Sequence, residues 1–101
     1  MEIIKSVSDT EMPVFSVTGR IDSTSSGVLE KSLTDFISEE KKSFTLDIAG
    51  IEYVSSAGLR VLLGAHKKSA AAGISMTLTG VNKSIREVFD ITGFSGILNI
   101  K

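Results

Sequence analysis

The chain contains no cysteine and no tryptophan, a single histidine and a single proline. Without cysteine, disulfides, thiolate metal sites and cysteine nucleophiles are excluded together, which suits a reducing cytosol. No apolar run approaches the roughly 20 residues that a membrane-spanning helix needs. The segment Met1-Glu2-Ile3-Ile4-Lys5-Ser6 lacks the basic-then-apolar order of a secretory leader. A cytoplasmic chain with no membrane partner is therefore expected. An excess of one charge is also missing. Eleven basic residues face twelve acidic ones, a formal charge of -1, so the electrostatic footprint of a nucleic-acid binder is absent. No Gly-rich loop ending in Lys-Ser or Lys-Thr opens a helix, and no Gly-x-Gly-x-x-Gly follows a strand, so neither common phosphate cradle is present.

What is present has the make-up of a globular protein. At 101 residues, 42% hydrophobic and 23% charged, the chain suffices for one domain, 1–101, and leaves no material for a second. Glu2 to Val7 and Met12 to Thr18 read as two strands joined by the polar turn Ser8-Asp9-Thr10-Glu11, with Gly19 closing the second. Leu29, Leu33, Phe36 and Ile37 share one face of a helix near 25–40 that Asp22, Ser23 or Ser25 can cap. The charge run Glu39-Glu40-Lys41-Lys42 reads as its solvated end. Phe44 to Ala49 is a third strand ended by Gly50, and its apolar run on both sides of Asp47 suits cover on both faces. A helix near 57–72 stops at Gly73. Ile74 to Thr79 alternates as a strand. Asn82 caps a helix near 82–92 that closes at Gly93, and Ile97 to Ile100 is the last strand. This order implies an α/β fold: a five-stranded, mainly parallel sheet with crossover helices, only its first strand antiparallel.

In such sheets the loops at the carboxyl ends of strands carry function. Two of them are rich in hydroxyls, Gly19-Arg20-Ile21-Asp22-Ser23-Thr24 and Tyr53-Val54-Ser55-Ser56-Ala57-Gly58. Both should open on one edge of the domain. Either Ser55 or Ser56 can cap the second helix, whose N-terminus stabilises negative charge. A triad is excluded, because His66 lies about ten residues, or roughly 15 Å, further along that helix. His66 reads instead as a partly buried structural residue beside Leu59 and Leu62. On a helical wheel Val61, Gly64, Ala65, Lys68 and Ala72 lie opposite Leu59 and Leu63 as a strip of mostly small residues. That strip is expected to face outward and to admit a flat partner surface.

The segment Tyr53-Val54-Ser55-Ser56-Ala57-Gly58-Leu59-Arg60-Val61-Leu62-Leu63 resembles the STAS domains of bacterial anti-sigma factor antagonists. Gly19-Arg20-Ile21-Asp22 upstream and Val88-Phe89-Asp90-Ile91-Thr92-Gly93-Phe94 downstream extend the likeness over nearly the whole chain. The resemblance implies a non-enzymatic binding module without metal or cofactor. Its partner is an anti-sigma factor that is also a serine kinase, which phosphorylates one serine at the helix start and so breaks the complex. A metal-dependent serine phosphatase restores the binding form. Aligning Gly58 with the family's glycine makes Ser56 the phosphoacceptor, with Ser55 a rival because many members have aspartate there. Asp22 aligns with an aspartate that ends the second strand close to that serine, and Asp47 resembles an acidic or amide position in the third. The expected partner surface comprises Asp22, Ser23, Thr24, Ser55, Ser56, Ala57, Arg60, Val61 and Gly64. Two other readings share the same loops: a STAS subunit of a stress-sensing complex or lipid-transport system, and a small-ligand or nucleotide binder.

Overall fold

A computed structural model describes residues 1–7 and 12–101; the expected turn Ser8 to Glu11 lies outside the described residues. In chain order the elements are strand β1 (Glu2–Val7), strand β2 (Pro13–Ile21), helix α1 (Ser26–Glu39), strand β3 (Phe44–Val54), helix α2 (Ser56–Ala71), strand β4 (Met76–Thr79), helix α3 (Lys83–Thr92), a short 3-10 turn (Phe94–Gly96) and strand β5 (Asn99–Ile100). The five strands lie side by side in sequence order. β1 is antiparallel to β2 and every other pair is parallel. The alternation of strand and helix periods thus leads to the expected architecture, with helix ends within two residues of those read from the sequence.

Because each parallel connection advances one strand in the same direction, right-handed crossovers put all three helices on one face. Burial follows. Phe15 and Val17, Phe44, Leu46 and Ile48, and Met76 and Leu78 are buried on that face. They meet Leu29, Leu33, Phe36 and Ile37 of α1, Leu62 of α2, and Ile85 and Phe89 of α3 in one core. Phe15, Phe36 and Phe44 form an edge-to-face triad with centroids 5.1, 5.5 and 5.2 Å apart, each pair worth about 0.5–1.5 kcal/mol beyond its buried area. The opposite face is only partly covered. Ile4, Ser16, Asp47 and Thr79 form one row across it, and Ser6, Val14, Thr45, Thr77 and Asn99 the next. The expectation that β3 is covered on both faces is therefore incorrect: Thr45 and Asp47 are half-buried between fully buried neighbours.

Two strand ends also differ from expectation. β2 runs through Gly19 to Ile21, and β3 through Gly50 to Val54. Register shifts between Ser16 and Thr18 and between Gly19 and Arg20 absorb the glycines, Gly19 taking a left-handed φ of 98°. At such bulges a glycine continues a strand with a bend instead of ending it. The extra residues carry β2 and β3 together to the carboxyl edge. At the other end of the sheet, β4 starts later than expected because the Ile74 amide donates to the Ser69 carbonyl at the end of α2, and β5 because the Ile97 and Leu98 amides donate to the Phe94 carbonyl of the 3-10 turn.

Candidate functional site at the carboxyl edge

β2 and β3 finish in register, Arg20 beside Tyr53 and Ile21 beside Val54. The Ser55 amide then donates to the Ile21 carbonyl at 2.8 Å. Gly58, in the first turn of α2, closes this junction. A Cβ there would sit 2.7 Å from Ile21 Cγ2, 2.8 Å from the Ile21 carbonyl oxygen and 3.0 Å from Val54 Cγ1. Only glycine lets the helix start press against the end of β2, so both hydroxyl-rich loops open on one edge.

The first loop consumes its own polar groups. Asp22 Oδ1 accepts from the Thr24 amide at 3.0 Å, the Thr24 hydroxyl at 2.7 Å and the Ser25 amide at 3.2 Å. The Ser25 hydroxyl donates to the Arg20 carbonyl at 2.7 Å and accepts from the Asp22 amide at 3.0 Å. The Thr24 hydroxyl and amide, followed by Ser25, hold the Asp22 carboxyl below its ordinary range and outweigh the opposing effect of partial burial. Asp22 is consequently ionised at neutral pH. Arg20 lies 3.9 Å from Asp22 Oδ2 and stacks over the Tyr53 ring, 4.4 Å from its centroid. Arg20 is exposed and Asp22 half-exposed, and at 3.9 Å the ion pair contributes little, so the stack mainly orders the edge. The stack has no signal in the sequence, because strands that end at Gly19 and Gly50 leave Arg20 and Tyr53 in loops at unequal distances from them; only the extended β2 and β3 bring the two side by side.

The second loop leaves one hydroxyl uncommitted. Ser55 is the N-cap of α2, extended at φ −82° and ψ 174°, and its Oγ accepts from the Gly58 amide at 3.2 Å. Ser56 is the first helical residue. Its side chain is exposed and makes no hydrogen bond to a described residue. The amides of Ser56 and Ala57 belong to the set that a helix leaves unpaired, and no acidic residue stands in the first turn to use them. Ser23, Thr24 and Arg60 are exposed, and Asp22, Ser55, Ala57 and Gly64 half-exposed, at or near this edge.

Val61 does not join them. It is 7% exposed, within a buried face formed by Gly58, Val61, Leu62, Ala65 and Ser69. The expected outward strip is corrected at Val61 and Ala65, which are buried, while Lys68 and Ala72 are exposed and Gly64 half-exposed, as expected. α2 packs against α1 as well as the sheet, and on that flank Lys68 Nζ donates to Thr34 Oγ1 at 3.0 Å. The exposed residues of α2 are Ser56, Arg60, Lys67, Lys68, Ala70 and Ala71, with Gly64 half-exposed, where a Cβ would meet nothing within 4 Å. His66 is half-buried and, with Ala70, Ile74, Ser75, Met76 and Asn99, lines a cavity of about 250 Å³. It therefore lies beside the amino end of β4, away from the serines. Among the described residues, no group of three or more His, Asp or Glu side chains is arranged to hold a metal ion, and no helix is long and apolar enough to cross a membrane.

Comparison with known proteins identifies the family and the fold. The STAS domain family profile matches residues 3–101, and the chain belongs to that family. Its relatives include BtrV of Bordetella bronchiseptica, 32% identical over 82 residues, covering 81% of this chain and 71% of the relative. The anti-sigma-B factor antagonist of Bacillus subtilis is 30% identical over 84 residues, 83% of this chain and 76% of the relative. Among solved structures, the anti-sigma factor antagonist SpoIIAA in its unphosphorylated form superposes with a TM-score of 0.76 at 14% identity, covering 99% of this chain and 87% of that one. A sulfate transporter family protein from Wolinella succinogenes shares the fold at a TM-score of 0.70 and 18% identity, over 85% of this chain and 70% of that one.

Proposed function

We propose that the chain is an anti-sigma factor antagonist whose binding to a serine-kinase anti-sigma factor is switched off by phosphorylation of Ser56. The observation that carries this reading is the division of labour between adjacent serines: Ser55 caps α2, and Ser56 offers an exposed, uncommitted hydroxyl beside unpaired amides. The names of the relatives support it, as does the existence of SpoIIAA in both a phosphorylated and an unphosphorylated form. The kinase transfers the γ-phosphoryl group of ATP to Ser56 Oγ; an O–P bond forms, the bond to the ADP oxygen breaks, and the hydroxyl proton is lost.

The contact surface consists of Ser23, Thr24, Ser56, Ala57, Arg60 and Gly64, with Asp22 at its margin and Val61 left out. Phosphate adds about −1.5 to −2 charges to an edge that already holds the ionised Asp22. A partner fitted to the neutral serine meets bulk, like charge and a desolvation penalty. A metal-dependent phosphatase in the cytoplasm resets the switch by hydrolysing the ester. The chain itself is the regulated module and contributes no catalytic group.

The test is calorimetric titration of a kinase-type anti-sigma factor with the unmodified chain and with the chain phosphorylated at Ser56. Phosphorylation is expected to weaken binding about 100-fold or more, equivalent to roughly 3 kcal/mol. Equal affinities would overturn the switch and favour an unswitched subunit of a larger assembly. Binding of ATP or GTP by the chain alone would favour a nucleotide binder.

A further inference from the structure

Three arginines occur in the chain, and two have acidic partners. Arg20 lies beside Asp22 and over Tyr53, and Arg86 Nε donates to Asp90 at 3.4 Å. Arg60 is exposed on α2 and has no acidic partner among the described residues. No aspartate or glutamate occurs anywhere in Ser56–Ala71. Arg60 therefore takes no part in a solvated pair of the kind that Lys31 and Asp35 make on α1.

Its position relative to Ser56 is specific. In an α-helix the Cα–Cβ bond tilts toward the N-terminus, so a long side chain covers the turn before its own. Residues four apart have Cβ atoms about 5–6 Å from each other, and an anion placed N-terminal to its cation is the favoured order. Ser56 and Arg60 are four apart, in that order, on the outward side of α2.

We propose that Arg60 is the intrachain counter-charge for a phosphate on Ser56, an inference that rests on the reading of Ser56 as the phosphoacceptor. The guanidinium fork pairs with phosphate oxygens, while the first amides of α2 act on the same group along the helix axis. One modification then changes the contact surface twice. It adds an anion at 56 and withdraws the exposed cation at 60 from any partner carboxylate. The new charge is also held in place, so α2 stays ordered in the phosphorylated form.

The experiment uses the full chain with phosphoserine installed at position 56 during translation, so that no kinase is required. Phosphorus NMR follows the phosphate titration in otherwise wild-type protein and in Arg60→Gln and Arg60→Lys. The wild-type midpoint is expected about 0.3 unit or more below that of Arg60→Gln, with Arg60→Lys between them. This gap shrinks at about 1 M salt. The helix terminus is common to all three and cancels. A thermal-denaturation cycle crossing phosphorylation with Arg60→Gln should show the phosphate more stabilising when Arg60 is present. Coincident titrations together with additive melting shifts would overturn the pairing, whatever a kinase does. Failure of a cognate kinase to modify Ser56 would instead overturn the function proposed above and not the pairing.

Discussion

The two hydroxyl-rich turns at the carboxyl edge look alike in composition and differ in how they use their polar groups. Between Asp22 and Ser25, the carboxylate, two hydroxyls and three amides satisfy one another. This turn uses up its own donors and acceptors. Between Ser55 and Gly58, a single hydroxyl caps the helix and its neighbour is left over. Abundance of hydroxyls thus says little about availability; position relative to the first helical turn decides it.

The largest expected effect breaks the support behind the second turn. Val61→Glu buries an unpaired carboxylate between α2 and its neighbours and should cost about 3 kcal/mol or more, whereas Gly64→Ala, with open space for its Cβ, should stabilise by about 0.5–1 kcal/mol. Urea denaturation of both variants checks this. Equal, small effects would return Val61 to the outer face. Next comes Gly58→Ala, whose Cβ collides with Ile21 and Val54. A loss of about 1–3 kcal/mol is expected, with a matching loss of partner affinity as the two loops separate. An unchanged midpoint would mean that the junction does not depend on glycine.

These substitutions also show where the sequence was legible. Strand and helix periods, the glycine stops at 73 and 93 and the cap at Asn82 are local features, and they led to the right number, order and sense of elements. Asn82 indeed accepts from the Ile85 amide at 2.9 Å. The face of α2 was legible only in part: Val61 and Ala65 are buried because the helix packs against α1 as well as the sheet, and no local period encodes that second neighbour. The extension of β2 and β3 past their glycines depends on bulges that form only when the strands pair. The choice of cap between Ser55 and Ser56 depends on where the extended backbone of β3 turns helical, a boundary that adjacent identical residues cannot signal.

Smaller effects separate the serines. Ser55→Ala removes the bond to the Gly58 amide and should cost about 0.5–2 kcal/mol. Ser56→Ala should stay within about 0.5 kcal/mol of wild type, as surface changes do. Of the two serines that the sequence offers as caps, the structure assigns the role to Ser55. Equal costs in thermal unfolding would contradict the division of labour. The weakest effect tests the first turn through pH. Asp22 has a folded pKa below its unfolded value, so its stabilisation is complete above the ordinary carboxylate range of about 3.9 and disappears as pH falls through the lower folded value. Denaturation curves of wild type and Asp22→Asn should therefore converge on acidification. A constant difference across the acid range would show that the turn does not depend on the carboxylate charge.

The central claim is that Ser56, and not its neighbour, carries the switch. The most direct measurement is phosphosite mapping by mass spectrometry of wild type, Ser55→Ala and Ser56→Ala after incubation with the cognate kinase and ATP. Phosphate on Ser56 in wild type and in Ser55→Ala, with none on Ser56→Ala, is the predicted result. Wild-type incorporation into Ser56→Ala, with none into Ser55→Ala, would contradict it.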